Sequence, residues 1–160
     1  MVKSLTNESV MDIFGLLAVM AKVSNEGSLK MNKILSFVVD RVLNEWKSTA
    51  KTIFEHIDNA PEGFAEFESK IQELKAKHAA DKDFDVDSEA NKLKEEYKDV
   101  LSEVETIEAE NDEFLKLEID MEVPQIKFEY LPEKMSPREF NIIRPFVKET
   151  DDEIMEILDR

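Results

Sequence analysis

Cysteine is absent from the 160 residues, which excludes disulfides, thiolate metal sites and cysteine nucleophiles, and with them a secreted disulfide scaffold. A reducing interior, the cytoplasm, is the expected setting. Glycine is scarce, at three residues, so there is no phosphate-cradling loop of the form GxxxxGK[ST] or GxGxxG and no nucleotide cofactor is expected. Two histidines cannot supply a three-histidine zinc site, and neither His56 nor His78 lies in an HExxH motif. Three positions before them stand Ile53 and Lys75, not the glutamate that di-iron helices place there. His78 therefore reads as the end of a helical stripe and His56 as a neighbour of an apolar seam. Long apolar runs are missing too. The longest, Val10 to Ala21, is interrupted by Asp12 and falls short of the roughly 20 residues needed to cross a bilayer, so no membrane span is expected. The opening MVKSLTNES, with one lysine before Glu8 and no small-residue cleavage site after the apolar run, reads poorly as a signal peptide.

Acidic side chains are what the chain has in abundance. Against 21 Lys and Arg stand 37 Asp and Glu, a net charge of −16. Residues 1–80 hold 10 basic and 11 acidic groups, residues 81–122 hold 5 and 17, and residues 123–160 hold 6 and 9. The middle segment thus carries −12 of the −16. A surface of that sign repels phosphate backbones, which argues against direct nucleic-acid binding and for a basic protein partner. The apolar fraction of 42% is too high for general disorder, and the length suits one domain.

The hydrophobic periodicity predicts a mainly α protein. Thr6 or Asn7 is placed to cap a first helix whose Val10, Ile13, Phe14, Leu17 and Ala21 share a face. Met11, Leu16, Val19 and Met20 make that helix apolar on further faces, so it is expected at the centre of the core, with docking on a partner as the alternative. After a break at Val23 to Ser28, apolar residues from Met31 to Ile57 recur every three or four positions as the seam of a long second helix from Leu29. Asp58 to Gly63 (DNAPEG) reads as a turn. A third helix follows with Phe64, Phe67, Ile71, Leu74 and His78, and a fourth from Ser88 to about Glu110 with Leu93, Tyr97, Val100, Val104 and Ile107. These two are expected to form an antiparallel hairpin, with Asp87 or Ser88 capping the fourth helix.

The period then changes from 3.6 to 2. Leu115, Leu117, Ile119, Met121 and Val123 alternate with charged residues as a half-buried strand, and Ile126, Phe128 and Tyr130 repeat the pattern after Pro124 and Gln125. A two-strand hairpin is expected there. Ser136, Pro137 and Glu139 make a capping box with proline at the first helical position. The helix it starts carries Phe140, Ile143 and Val147, and Pro145 is expected to kink or split it. Asp151 is placed to cap a last helix with Ile154, Ile157 and Leu158. The expected architecture is a single domain over 1–160, a helical bundle with a protruding helical hairpin. It comprises a helical core at 6–57, an acidic helical hairpin at 64–110, and a β-hairpin with C-terminal helices at 114–158.

No residue set stands out as catalytic. Asp81, Asp83, Asp85 and Asp87 alternate as calcium ligands do, but an EF-hand loop needs glycine at its sixth position and glutamate at its twelfth. From Asp81 the twelfth residue is Lys92 and from Asp83 it is Lys94. From Asp85 the twelfth is Glu96, but the sixth is Ala90. A helix-capping turn is expected instead, and no metal. Carboxylate pairs such as Glu95 with Asp99 or Glu105 with Glu108 arise by chance in so acidic a helix. Glycosidase chemistry would need two carboxyl groups facing each other across a pocket, one of them protonated.

The feature with functional content is the acidic segment itself. Glu95, Glu96, Asp99, Glu103, Glu105, Glu108, Glu110, Asp112, Glu113, Glu118, Asp120 and Glu122 are the candidate partner-binding residues. A continuous face of such charges would mimic a phosphate lattice and occupy the basic groove of a nucleic-acid-binding protein. The bland alternative is that they solvate an exposed hairpin.

With its segments EFLKLEIDMEV, IKFEYLP and SPREFNIIRPFV, the chain resembles small phage-encoded proteins in which an acidic helical hairpin leads into an amphipathic strand pair and a capped helix. That resemblance implies a phage or mobile-element setting with a host-directed or assembly role, and it transfers no site residue. The functional expectation is a non-enzymatic inhibitor or adaptor that engages a basic host protein through its acidic face. The alternative is an assembly protein that forms a homo-oligomer through apolar helix or strand-edge contacts.

Overall fold

Thr6 marks the junction of the first two elements: its backbone ends a strand and its side chain starts a helix. In the computed structural model, which describes residues 1–160, β1 (Val2–Thr6) runs directly into α1 (Asn7–Asn25). The Thr6 hydroxyl accepts the Ser9 amide at 3.1 Å, satisfying one of the donors that a helix start leaves free. Gly27, at φ 80°, takes the left-handed conformation that closes the following turn. Asn32, accepting the Ile34 amide at 2.8 Å, then caps α2 (Lys33–Glu55). The second helix therefore starts at Lys33, not Leu29, because the side-chain cap sits at Asn32.

The protein is mainly α, as its periodicity predicts, with seven helices and a small two-strand antiparallel sheet. By its contacts the chain divides into two compact units, one of Met1–His56 with Leu115–Arg160 and one of Ile57–Phe114.

In the first unit, the inward residues of α1 (Val10, Ile13, Leu17 and Met20) pack with those of α2 (Leu35, Val38, Val39, Val42, Trp46, Ala50 and Ile53). Both sets recur at three- and four-residue spacing, so each forms one stripe. Trp46 is buried to 2% exposure, its ring centroid lies 5.6 Å from that of Phe146, and its indole N–H donates to the Glu122 carbonyl at 3.2 Å. That one side chain ties α2 to the sheet and to the C-terminal segment.

The strand pairing differs from expectation. β2 (Glu118–Glu122) is present, but its partner is β1, with Val2 opposite Glu122 and Thr6 opposite Glu118. Ile126 to Tyr130 is not a strand. Ile126 makes a single parallel bridge to Val147, and Phe128–Tyr130 is a 3₁₀ turn whose first amide donates to Glu149 at 2.9 Å. At the Pro124-Gln125 connection no residue takes the positive φ of a tight hairpin turn. The β2 edge is filled instead by the N-terminal residues, with the Val123 amide donating to the Met1 carbonyl at 2.8 Å.

The capping box at Ser136 and the break at Pro145 act as expected, but the last helix is capped elsewhere. In α6 (Pro137–Ile143) the Ser136 hydroxyl accepts the Glu139 amide at 3.2 Å while the Glu139 carboxylate accepts the Ser136 amide at 2.7 Å. The helix ends before Pro145, and Arg144–Phe146 continues as a 3₁₀ turn. The last helix, α7 (Asp151–Leu158), is capped by Thr150 and not by Asp151: Thr150 forms a second capping box with Glu153. Asp151 pairs instead with Arg144 at 2.8 Å, and the same guanidinium donates to the Val147 and Glu149 carbonyls.

The second unit holds α3 (Phe64–Ala80), α4 (Val86–Glu96) and α5 (Lys98–Leu115), the last ending one residue beyond it. Asp58 meets Asn111, Gly63 lies against Val100, Phe67 and Lys70 meet Tyr97, and His78 meets Phe84. Rising numbers on one side face falling numbers on the other, which makes the antiparallel hairpin. The expected single fourth helix is two, divided at Tyr97 (φ −101°, ψ 17°). The amide of Tyr97 still reaches the Leu93 carbonyl and that of Leu101 the Tyr97 carbonyl, both at 2.9 Å, so the opening is local. It falls at the residue whose side chain is most tied to α3. Asp85, neither Asp87 nor Ser88, caps α4, accepting the Ser88 amide at 3.1 Å. The core here is thin, with Phe67, Leu74 and Val104 its buried apolar residues.

Candidate functional site

The acidic surface is built mainly on α5. From Asp99 to Leu115 this helix has seven carboxylates (Asp99, Glu103, Glu105, Glu108, Glu110, Asp112 and Glu113) and no basic residue. All seven are exposed, as are Glu95 and Glu96 on α4. Salt bridges of the unit lie elsewhere: Glu95 pairs with Lys98 at 3.5 Å, Lys92 with Glu89 at 3.1 Å and Lys70 with Glu66 at 3.3 Å. The 58 residues of the unit hold 19 acidic and 7 basic residues, a net −12, against 18 and 14, a net −4, in the other 102.

These carboxylates do not share one face. Measured from buried Val104 at about 100° per residue, Asp99, Glu103 and Glu110 lie on one flank of α5 and Glu105, Glu108 and Asp112 on the other, with Glu113 pointing away. The outermost line is occupied by Ser102, Thr106 and Ala109, which floor an open depression of about 360 Å³ bordered by Glu105, Glu110 and Glu113. Small residues at the floor and carboxylates at the rim leave room for a long cationic side chain to lie down and be paired. Glu118, Asp120 and Glu122 are exposed as well, but they belong to β2 in the other unit. Glu122 is engaged by the Met1 amine at 2.6 Å.

The aspartate-rich turn uses its side chains on its own backbone. Asp81 accepts the Asp83 amide at 3.0 Å and Asp85 caps α4, and no group of three or more His, Asp or Glu side chains is gathered in metal-binding geometry. His78 faces the Phe84 carbonyl at 3.3 Å and His56 the Thr52 carbonyl at 2.8 Å.

A cluster that periodicity alone does not reveal joins α3 to the α4–α5 junction. The Lys70 ammonium donates to the Tyr97 hydroxyl at 2.7 Å, sits 5.0 Å from that ring's centroid and pairs with Glu66. The hydrogen bond with Tyr97 and then that with Glu66 raise the Lys70 pKa above its ordinary value. Tyr97 and then Lys70 hold the Glu66 carboxyl below the usual carboxylate range. The cluster thus joins Lys70 and Glu66 of α3 to Tyr97 at the α4–α5 junction.

No helix is long and apolar enough to cross a membrane. Comparison with protein-family models, with curated proteins and with solved structures finds no match to this chain.

Proposed function

We propose that this is a non-enzymatic protein-binding protein whose acidic helical hairpin engages a basic protein surface in the cytoplasm, such as the groove of a nucleic-acid-binding protein. The observation that supports this reading most is the run from Asp99 to Leu115, seven exposed carboxylates with no basic residue among them. Like charges at i,i+3 and i,i+4, as in Asp99 with Glu103, Glu108 with Asp112 and Glu110 with Glu113, oppose the helix that carries them. A cationic partner relieves that repulsion, so binding and helix stability are coupled. The depression between Glu105, Glu110 and Glu113 is the place where a lysine or arginine of the partner inserts. Because the carboxylates lie on both flanks of α5, the reading favours a partner that wraps the helix over one that reads a flat phosphate-like lattice.

The test is affinity capture from lysate at about 0.1 M and about 0.5 M salt, between which the screening length falls from roughly 10 Å to below 5 Å. A basic protein is expected at low salt and not at high salt, and Glu103→Gln, Glu105→Gln, Glu108→Gln and Glu110→Gln together are expected to lose it at low salt as well. Capture that persists unchanged in the substituted protein would overturn the reading.

A further inference from the structure

The exposed large apolar residues of the molecule all lie in the unit of Met1–His56 and Leu115–Arg160, and the acidic hairpin has none. Phe54 and the pair Met155 and Leu158 lie on two surfaces that are complementary. Between α1 and α2 an open groove of about 390 Å³ is walled by Met11, Phe14, Ala50 and Phe54, with Phe54 67% exposed. Its charged lining residues are Lys47 and Lys51, four residues apart on α2. Lys47 forms no ion pair and Lys51 makes only a 3.7 Å surface contact with Glu55. Gly15 lies on the same wall with open space where a Cβ would stand, so a helix can approach α1 closely there.

The second surface is on α7. That helix turns Ile154 inward and leaves Met155 and Leu158 58% and 62% exposed. Beside this apolar pair runs a row of carboxylates, Asp152, Glu156 and Asp159, none of which forms an ion pair, whereas Asp151 and Glu153 are committed to Arg144 and to the Thr150 cap. On α2 an apolar row (Ala50, Phe54) borders two cations at i,i+4. On α7 an apolar row borders two anions, Asp152 and Glu156, at the same i,i+4 spacing of about 6 Å along the axis. The residues 1–56 that hold the groove carry seven basic and six acidic groups, a segment of net positive charge in a chain of −16.

We propose that the chain self-associates head to tail, with α7 of one copy seated in the α1–α2 groove of the next. Met155 and Leu158 fill the space beside Phe14 and Phe54, and Asp152 and Glu156 pair with Lys51 and Lys47. Donor and acceptor surfaces differ, so the contact is heterologous and builds rings or open chains, not an isologous dimer. A single two-turn helix buries little area, which makes the association weak and concentration-dependent. The acidic hairpin of a second copy is excluded as the occupant because it has no large exposed apolar side chain to fill the groove.

Sedimentation equilibrium of the full chain at about 0.15 M salt, where the screening length of roughly 8 Å mutes the overall repulsion, reads the proposal. The mean mass is expected to rise with concentration. Lys47→Glu with Lys51→Glu, and separately Asp152→Lys with Glu156→Lys, are expected to weaken association at least tenfold with an unchanged circular dichroism spectrum, since all four side chains are exposed. Combining the four substitutions in one chain is expected to restore it. A chain that stays monomeric at every concentration overturns the proposal. So does association that neither pair weakens, or that the combined variant does not recover.

Discussion

Asn111 and Asp58 hold each other by two hydrogen bonds: the Asn111 carboxamide oxygen accepts the Asp58 amide and its NH₂ donates to the Asp58 carbonyl, each at 3.0 Å. One side chain near the end of the second unit thus satisfies both backbone groups of a residue at its beginning. The carboxamide is suited to this because it carries a donor and an acceptor side by side.

Replacing Asn111 with Ala removes both bonds and leaves the Asp58 backbone to water. The expected loss is roughly 1 kcal/mol, since exposed hydrogen bonds contribute little net free energy. Amide hydrogen exchange checks it: the Asp58 amide is expected to exchange faster in the variant while amides in α1 and α2 are unchanged. An Asp58 amide that keeps its protection would show that the turn at 58–63 closes without the clamp.

A pH dependence follows from the two capping boxes. The backbone N–H of Ser136 and that of Thr150, each backed by its own hydroxyl, hold the Glu139 and Glu153 carboxyls below the usual carboxylate range. A carboxyl whose folded pKa is depressed contributes stability that is fully present above its unfolded value, about 4.3, and is lost as pH falls through the folded value. Glu139→Gln with Glu153→Gln should therefore be less stable than the unsubstituted protein at neutral pH, with the gap closing as the pH drops below about 4.3. Thermal unfolding followed from pH 7 downwards reads the difference, and a gap that stays constant with pH would assign it to lost packing. Ser136→Ala and Thr150→Ala are each expected to cost about 1 kcal/mol.

The parts of the fold that could be read in advance are those whose signals are local. The capping box at Ser136, the Pro145 break and the α3 stripe each rest on residues within a few positions of one another. The β1–β2 pairing joins Leu5 to Ile119, and five residues of VKSLT carry too little alternation to announce a strand whose partner is so distant in sequence. The second strand expected at Ile126 shows the same limit from the other side: alternation marks a residue as half-buried, but Ile126 is buried against Val147 and makes one bridge, not a ladder. The Tyr97 opening carries no glycine or proline to signal it, and it falls at the residue that contacts Phe67 and Lys70 on another helix. Of the candidate acidic residues, the charge was legible in composition. Their division between α4–α5 and β2 was not, because it depends on where the chain passes from one unit to the other.

The unequal cores of the two units lead to a further expectation. The first unit has 19 buried apolar residues and the second has three, Phe67, Leu74 and Val104, while the second also carries −12 of the −16 charges. Apolar burial is the main favourable contribution to folding and like-charge repulsion opposes it, so the second unit has the lower intrinsic stability of the two. Trp46, the one tryptophan, lies wholly in the first unit between Phe146 and the Glu122 carbonyl, and its fluorescence therefore reports that unit alone. In a urea titration, helical circular dichroism is expected to fall in two steps, the first without a change in Trp46 emission and the second coincident with it. Adding salt should move the first step to higher urea, because it screens the carboxylates of α5. Coincident transitions by both probes at all salt concentrations would mean that the hairpin draws its stability from the rest of the chain and not from its own thin core.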